Sequence, residues 1–347
     1  MSTFSEIRFE HLTNPHQYRS MIPLPSHSLI FGPMEGYTDS ILRQTILECF
    51  PQWDLHFTAF LRIPANQTYK PHHIIEHYGT QLFASENLKN KNILQILCPV
   101  HGMLEDNAQV ISDTGFHWLD FNLGCPSKTV NGHKGGSYLL QDLVLLDQIL
   151  RRLRKSFAGT LTCKIRTGYN DTQDFDSIIK ILADAGIDGI TIHARTRAQQ
   201  YNGSADWSFI KRAVELVDIP IIGNGDIDNE MDAIRMLETT GCHAVMAARG
   251  GLKTPWLAQR FYQVLRGEPL RHALEERTEY IPKYFSTFVK NYATVKPTAN
   301  VSLKRLKSIS RFIFDDYSDG HQRKTELFRS ESLEEFYSLF AQHYPSI

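Results

Sequence analysis

One cysteine in an unusual local context is the strongest candidate for chemistry in this chain of 347 residues. Cys125 lies in NLGCPS, residues 122 to 127, directly after an apolar run and before the polar, glycine-rich segment SKTVNGHKGGS. A structural cysteine normally lies within an apolar run, as Cys163 does, whereas turn residues flank Cys125. A thiol in such a turn can serve as nucleophile or as acid, and its ordinary pKa of about 8.5 leaves it mostly protonated near neutral pH.

Three polar side chains interrupt segments that otherwise have the composition of buried strands. Lys164 lies in LTCKIRTG, His193 in TIHART and Gln95 in LQIL. Because a buried lysine is costly unless it meets an anion or a ligand, Lys164 predicts a bound partner. A lone buried histidine or glutamine is more often a core residue with satisfied hydrogen bonds than a ligand group. The three residues are therefore informative only as a set.

Two glycine-containing segments favour a phosphate site. GNGDI spans residues 223 to 227, and AARGG spans residues 247 to 251. Glycines let backbone amides approach a phosphate, and the Arg249 guanidinium can add a bidentate contact. The sequence contains no HExxH, GxSxG or Walker-type motif and no dense cluster of His, Asp and Glu, so we expect no catalytic metal.

The pattern of apolar residues predicts a (β/α)8 barrel, an α/β fold of the TIM-barrel class. Eight short runs rich in β-branched residues alternate with amphipathic stretches, and such a barrel takes ~250 residues. A doubly wound sheet is the alternative. Barrel active sites lie at the carboxyl ends of the strands, where the polar residues described above occur. The predicted strands cover residues 29–34, 55–62, 93–99, 118–126, 161–168, 189–196, 219–227 and 244–251.

The alternation of predicted strands and helices ends after residue 265, where amphipathic helices are predicted with no strand between them. We therefore expect an N-terminal extension over residues 1–23, a catalytic barrel over residues 24–265 and a small helical domain over residues 266–347. Between residues 280 and 314 there are seven Lys or Arg and no acidic residue. A solvated helix face explains this asymmetry as readily as a nucleic-acid contact does.

The composition is that of an ordinary globular protein. The hydrophobic fraction is 42% and the charged fraction is 22%, with no apolar stretch long enough to span a bilayer. No targeting signal is visible at the N-terminus, so we expect a cytoplasmic location. A net charge of −1 excludes a uniformly basic nucleic-acid binder but allows one confined basic face. The five dispersed cysteines, none spaced as CxxC, argue against a disulfide framework or a structural zinc site.

Seven segments follow one another along the chain: GPMEGYTDS (32–40), LQIL (94–97), NLGCPSKTVNGHKGGSYLL (122–140), CKIRTG (163–168), ITIHARTRAQQY (190–201), GNGDI and AARGG. In this order they resemble the tRNA-dihydrouridine synthases. The resemblance covers nearly all of the chain after residue 28 and is greatest to the bacterial C type, which acts on position 16 of the tRNA D-loop. Leu123 and Ala248 stand where a cysteine and a glycine are usual, but neither change removes a required functional group.

The resemblance implies FMN-dependent reduction of uridine to 5,6-dihydrouridine in the tRNA D-loop, with NADPH as a transient reductant. It implies that Cys125 donates a proton to C5 of the uracil while hydride from the flavin adds at C6. The residues that it implies for FMN binding are Pro33, Met34, Glu35, Gln95, Lys164, His193, Asn224, Gly225, Asp226, Ala248 and Arg249. Those that it implies for tRNA binding are Arg62, Asn122, Tyr201, Arg305 and Lys307. It implies no membrane and no obligate protein partner.

Three alternatives remain open at this point. The first is an FMN barrel that reduces a free small molecule, similar to dihydroorotate dehydrogenases or ene-reductases, although the basic helical tail disfavours it. The second is a flavin-free aldolase barrel in which Lys164 forms a Schiff base. The third is a tRNA-binding chaperone with an inactive barrel. A yellow protein that oxidises NADPH but makes no dihydrouridine would favour the first.

Overall fold

Parallel strands form a closed barrel in this computed structural model, which describes residues 22–295, 299–314 and 320–343. The strands are β1 (Ser28–Phe31), β2 (Leu55–Phe57), β3 (Leu61–Arg62), β4 (Asn92–Leu97), β5 (Trp118–Leu123), β6 (Thr160–Arg166), β7 (Gly189–His193), β8 (Ile221–Asn224) and β9 (Ala244–Ala247). β1 pairs with β2 on one side and with β9 on the other, so the sheet closes on itself. The predicted (β/α)8 barrel is therefore confirmed, and the doubly wound alternative is excluded.

Two short strands share one position in the barrel. β2 and β3 each pair with β4 in parallel. Between them the backbone leaves the ladder at residues 58–60, where Thr58 Oγ1 accepts a hydrogen bond of 2.9 Å from the backbone N–H of Gln95. The sequence predicted one continuous strand here. The interruption places Ala59 and Phe60 in the lining of a cavity at the barrel mouth.

Helices alternate with the strands and cover the outside of the barrel. They are α1 (Ser40–Cys49), α2 (Pro71–Tyr78), α3 (Thr80–Ala84), α4 (Glu86–Asn90), α5 (Leu104–Asp113), α6 (Lys128–Gly132), α7 (Leu143–Ser156), α8 (Phe175–Asp184), α9 (Ser208–Leu216), α10 (Glu230–Thr240), α11 (Arg249–Lys253) and α12 (Leu257–Leu265), with a 3-10 helix at Gly136–Gln141. Their apolar spacing buries one face of each longer helix; on α8, for example, Ile178, Ile179 and Leu182 are fully buried.

The barrel interior changes from apolar to polar along the strands. Its lower part is one buried cluster formed by Ile22, Leu24, Ile30, Leu55, Phe57, Ile93, Trp118, Ile222, Ala244 and Met246. Side chains alternate along a strand, so Asp120 and Asn122 share the inward face of β5 with Trp118. Thr162 and Lys164 occupy the corresponding positions on β6, which pairs in register with β5. The polar groups of the interior therefore lie above the apolar cluster, toward the carboxyl ends of the strands.

Four helices follow the barrel in the part of the chain that is described: α13 (Ala273–Val295), α14 (Ala299–Ile313), α15 (Gly320–Arg329) and α16 (Leu333–His343). The sequence predicted three of them and missed α15, because HQRKTELFR has few apolar residues to show a helical period. Phe50 of the barrel region packs against Tyr280 and Tyr284 of α13, with ring centroids 5.7 and 6.0 Å apart. None of the described helices is long and apolar enough to cross a membrane. The domain boundary at residue 265 remains a prediction, and residues 1–21 lie outside the described residues.

A partly buried arginine, with its side chain 17% exposed, joins the barrel to the helices that follow it. Arg260 of α12 donates to Glu230 of α10 at 2.9 and 3.0 Å and to Glu276 of α13 at 2.6 Å. Glu276 is 1% exposed and also accepts a hydrogen bond of 3.1 Å from Trp256 Nε1. Loss of the guanidinium would leave two carboxylates in a largely dry environment.

We expect Arg260→Met to lower the free energy of unfolding by about 3–5 kcal/mol, because removing one partner of a buried ion pair leaves uncompensated charge. Urea denaturation followed by circular dichroism measures the change. The matched control is Arg212→Met, since the Arg212 side chain is 56% exposed and pairs with Asp176 at the surface. That variant should lose less than about 1 kcal/mol. Equal losses in the two variants would contradict this account of Arg260.

Candidate active site

A cavity of about 340 Å³ opens at the carboxyl ends of the barrel strands. It collects the residue predicted to catalyse, all those predicted to bind the cofactor, and two of those predicted to contact tRNA. These residues are Pro33, Met34, Glu35, Gln95, Asn122, Cys125, Lys164, His193, Tyr201, Asn224, Gly225, Asp226, Ala248 and Arg249. They come from β-strand ends and following loops all around the barrel, as the fold class predicts.

The turn that carries Cys125 is held through its backbone. The Asn122 side-chain oxygen accepts hydrogen bonds from the backbone N–H groups of Cys125 at 2.9 Å and Gly124 at 3.1 Å. On the other side, the Cys125 carbonyl oxygen accepts from Ser137 Oγ at 2.8 Å and from Asn131 Nδ2 at 3.1 Å. The thiol therefore projects into the cavity from a backbone that is fixed at both its N–H and its carbonyl.

The surroundings of Cys125 favour a protonated thiol. Burial raises the pKa of Cys125 above its ordinary value, and the negative charge of Glu35 acts in the same direction. The backbone N–H of Ser127 and the positive charges of Arg62 and Arg166 oppose this rise in pKa only in part. A thiol that keeps its proton near neutral pH is suited to act as an acid rather than as a thiolate nucleophile.

Lys164 supplies N–H donors at the floor of the cavity. Its Nζ donates to Asn224 Oδ1 at 3.0 Å, and Asn224 Nδ2 donates in turn to the Met246 carbonyl oxygen at 2.8 Å. Burial of the ammonium group lowers the pKa of Lys164 to about 8; Arg166 adds to this lowering and Asp120 opposes it. An ammonium group has three hydrogens, so Lys164 can also donate to a ligand in the cavity.

Asp226 orients two arginines at the far end of the cavity. Its carboxylate accepts from Arg195 Nη2 at 2.7 and 2.9 Å and from the Ala205 backbone N–H at 2.7 Å. Arg249 lies 3.6 Å from the same carboxylate and is 49% exposed. Asp226 and Gly225 have positive φ angles of 54° and 125°, which aim the loop after β8 at these cations. The carboxylate itself would repel a phosphate, so phosphate binding at this end would come through Arg249, which lines the cavity, whereas Arg195 is buried and does not line it.

His193 lies among cations and is neutral. Burial lowers the pKa of His193 well below its ordinary value, and four positive groups, Lys164, Arg166, Arg195 and Arg249, act in the same direction. A neutral imidazole can donate one hydrogen bond and accept another. Across the described residues, no group of three or more His, Cys, Asp or Glu side chains is arranged to hold a metal ion.

Sequence reasoning missed Arg166, which ties the Cys125 turn to the loop after β7. Its guanidinium donates to the carbonyl oxygens of Gly124 at 2.9 Å, Thr196 at 2.9 Å and Gln200 at 2.8 Å. A signal was present, because Arg166 follows Lys164 by two residues and must share its inward face. Arg195, which is 2% exposed, was missed in the same way two residues after His193.

The helical region also contributes to the cavity wall. Phe312 of α14 lines the cavity, and its ring lies edge-on to Tyr37, which lines it too, with centroids 5.0 Å apart. Nothing in the local sequence around Phe312 marks it as a cavity residue, because its partner Tyr37 is distant along the chain.

Ala248, where a glycine was expected, has a φ of −112°, outside the positive-φ region that favours glycine.

The residues predicted to contact tRNA have diverse surroundings. Tyr201 is 57% exposed at the cavity, with the guanidinium carbons of Arg249 and Arg166 5.2 and 5.5 Å from its ring centroid. Arg62 is absent from the cavity lining, but its guanidinium lies 5.4 Å from the ring of Phe60, which does line it.

Arg305 and Lys307 do not line the cavity and are engaged within the protein. Arg305 donates to two carbonyl oxygens in residues 36–39, at 2.7 and 3.2 Å, and to the aspartate that ends this segment at 2.6 Å. Lys307 Nζ donates to the carbonyl oxygens of Phe328 at 2.9 Å and Ser330 at 2.5 Å. Arg305 therefore holds the segment that follows Pro33, Met34 and Glu35, and a tRNA contact for either residue remains a prediction.

Cys125 is expected to be the cysteine that iodoacetamide modifies in the native protein, because the other four cysteines are buried. The modification rate should rise with pH through a midpoint above that of a free thiol, since burial raises the pKa of Cys125. Peptide mass spectrometry across a pH series measures both site and midpoint, with Cys125→Ala as the unlabelled control. A midpoint below that of free cysteine would contradict the account of the thiol as an acid.

The chain is similar to proteins of known family. The family model for dihydrouridine synthase (Dus) matches residues 30–336. The tRNA-dihydrouridine(16) synthase of Neisseria meningitidis serogroup A is 30% identical over 305 residues, which cover 84% of this chain and 88% of that protein. The protein of the same name from Pseudomonas syringae pv. tomato is 34% identical over 248 residues, covering 69% of this chain and 76% of that protein.

A solved structure shares the barrel at low sequence identity. Histamine dehydrogenase from Rhizobium sp. 4-9 matches with a TM-score of 0.53 and 11% identity, over 80% of this chain and 51% of that chain. At this identity the match concerns the fold alone. The family match, by contrast, runs from β1 through the barrel into α16. It includes the Cys125 turn, the strand of Lys164 and the loop of Asp226, so this chain belongs to the dihydrouridine synthase family.

Proposed function

We propose that this protein reduces uridine in tRNA to 5,6-dihydrouridine at position 16 of the D-loop, using bound FMN and electrons from NADPH. The observation that carries the proposal is the position of the Cys125 thiol at a cavity that Lys164 and Asn122 also line, where burial raises the pKa of the thiol. Membership of the dihydrouridine synthase family supports it, as do relatives of similar length named tRNA-dihydrouridine(16) synthase.

The cavity has the chemistry that a flavin mononucleotide requires. At one end, the half-exposed guanidinium of Arg249 lines the cavity beside the loop of Gly225 and can donate to a phosphate. At the floor, Lys164 retains N–H groups that can donate to the electron-rich edge of the flavin ring. Pro33 and Met34 add apolar surface along the wall. When bound, FMN would supply hydride for the reduction, while the protein supplies position and electrostatics.

Cys125 would supply the proton. The C4 carbonyl of uracil polarises the C5=C6 bond, so hydride addition at C6 leaves negative charge at C5 and on the carbonyl oxygen. The raised pKa of Cys125 keeps its proton on Sγ until this charge develops, and transfer to C5 then completes the reduction. Asn122, which holds the Cys125 backbone, would orient the uracil with its remaining amide hydrogen.

A uracil in folded tRNA must be turned out of its loop to reach this cavity. That costs a few kcal/mol, which contacts to the tRNA backbone and base stacking have to offset. Tyr201, exposed between two arginines, offers a stacking face at the cavity. Arg62, Arg305 and Lys307 would bind phosphates, the latter two with the N–H groups that their internal hydrogen bonds do not use.

Expression of this protein in a bacterial strain that lacks all of its own dihydrouridine synthases is expected to restore dihydrouridine at position 16 of tRNA. Mapping of modified positions across the tRNA pool measures this, and Cys125→Ala serves as the inactive control. Dihydrouridine at other positions instead would contradict the proposed position. Unmodified tRNA from a well-expressed protein would contradict the proposed function.

Cys125→Ala is expected to retain flavin and tRNA binding but to lose turnover by about 10²–10⁴-fold, the usual contribution of a positioned general acid. Binding is measured by flavin absorbance and by a mobility shift with unmodified tRNA, and turnover by dihydrouridine formation. Cys163→Ala is the matched control, because Cys163 is fully buried and faces the helices rather than the cavity. Full activity in Cys125→Ala would show that the proton comes from another group.

A further inference from the structure

A carboxyl group lies beneath the cavity without touching it. Asp120 on β5 is fully buried and is not among the residues that line the cavity. Its two oxygens accept hydrogen bonds of 2.7 Å from Gln95 Nε2 and 2.7 Å from Thr162 Oγ1. Thr162 Oγ1 accepts in turn from Trp118 Nε1 at 3.1 Å, at the top of the apolar cluster. The chemistry proposed above gives this carboxyl group no role.

Asp120 begins a chain of hydrogen bonds that ends at the Cys125 turn. Burial raises the pKa of Asp120 to about 7, while the hydrogen bonds from Thr162 and Gln95 favour the ionised form. Above that pH the carboxylate only accepts, so Gln95 directs its NH2 group toward Asp120 and its carbonyl oxygen away from it. That oxygen accepts from Asn122 Nδ2 at 2.8 Å. Asn122 then directs its own carbonyl oxygen to the backbone N–H of Cys125 at 2.9 Å. One carboxylate thus fixes the orientation of two amides and of the turn that bears the thiol.

The same orientation determines which atoms the cavity floor presents. Gln95 and Asn122 both line the cavity, and each NH2 group has a second hydrogen beyond the one given to its neighbour. If both amides were reversed, they would present carbonyl oxygens instead. Pyrimidines and flavin rings carry carbonyl oxygens and ring nitrogens as acceptors, which N–H donors match and carbonyl oxygens repel.

We propose that Asp120 is a positioning residue for the reaction. Its carboxylate orients the amides of Gln95 and Asn122 and, through them, holds Cys125 where its proton can be delivered. This inference rests on the function proposed above for the cavity. Thr162 and Trp118 support the carboxylate from the side away from Gln95, so the two sides of Asp120 can be tested separately.

The test combines the rate of iodoacetamide labelling of Cys125 with turnover on unmodified tRNA, both in the purified holoenzyme. In Asp120→Asn, the new side-chain NH2 group can face the NH2 group of Gln95. Two donors form no hydrogen bond, so the orientation of the Gln95 amide is no longer fixed. We expect turnover to fall by about tenfold or more, because small displacements of a reacting group cost that much. We expect labelling to be at least about threefold faster, because loss of the hydrogen bond between Asn122 and the Cys125 backbone would free the turn and expose the Cys125 thiol.

Thr162→Val is the matched control. It removes the other hydrogen bond to Asp120, in the same buried layer, without touching Gln95. A merely structural role for Asp120 predicts that the two variants lose stability alike and leave the labelling of Cys125 unchanged. We expect Thr162→Val to keep labelling and turnover within about twofold of the unmodified protein, because it leaves the link to Cys125 intact.

A compensating double variant tests the role of Asp120 even if Asp120→Asn folds poorly. Gln95→Glu sets two carboxylates against each other and is expected to speed labelling. The double variant Asp120→Asn with Gln95→Glu exchanges donor and acceptor across the same contact, so the new carboxylate can still accept from Asn122. Return of slow labelling in the double variant supports the proposal. Labelling as fast as in Gln95→Glu, or an Asp120→Asn variant that behaves as Thr162→Val does, would overturn it.

Labelling of Cys125 requires neither tRNA nor NADPH. An unmodified protein that fails to reduce tRNA would therefore refute the proposed function and leave the labelling test of Asp120 intact. Conversely, active enzyme with unchanged labelling in Asp120→Asn and no rescue would refute the role of Asp120 alone.

Discussion

The chain of hydrogen bonds from Asp120 through Gln95 and Asn122 to the backbone of Cys125 is the interaction on which the site depends. An unsatisfied polar group in a protein interior costs about 1–3 kcal/mol, so each member of the chain restricts the orientation of the next. The closed barrel makes this restriction effective, because the largely apolar cluster beneath these groups offers them few alternative partners. The thiol is positioned by the barrel interior rather than by its loop alone.

The rest of the cavity is held by contacts between distant parts of the chain. Arg166 joins the Cys125 turn to the loop of Tyr201, and Asp226 holds Arg195 and Arg249 at the opposite end. The helical region completes the wall, since Arg305 binds the segment that follows Glu35. Movement of the helical region would therefore change the wall of the cavity.

Much of the fold and site could be predicted because their signals are local. Short apolar runs predicted the position of each strand in the barrel, with β2 and β3 as one run, and the turn residues around Cys125 and the glycines near Asp226 indicated where strands end. The interruption at residues 58–60 and the helix α15 were missed, because pairing with β4 and tertiary packing determine them. The internal partners of Arg305 could not be predicted either, since no local pattern shows which of several basic residues meets a carboxylate far along the chain.

Anaerobic single-turnover oxidation of the reduced holoprotein measures most directly whether this cavity acts on uridine within tRNA. Flavin absorbance reports the oxidation, and digestion of the tRNA reports the product. Unmodified tRNA should reoxidise the flavin and gain dihydrouridine in equal amount, whereas free uridine should leave the flavin reduced. Rapid oxidation by a free pyrimidine together with no oxidation by unmodified tRNA would contradict the account and favour a reductase of small molecules.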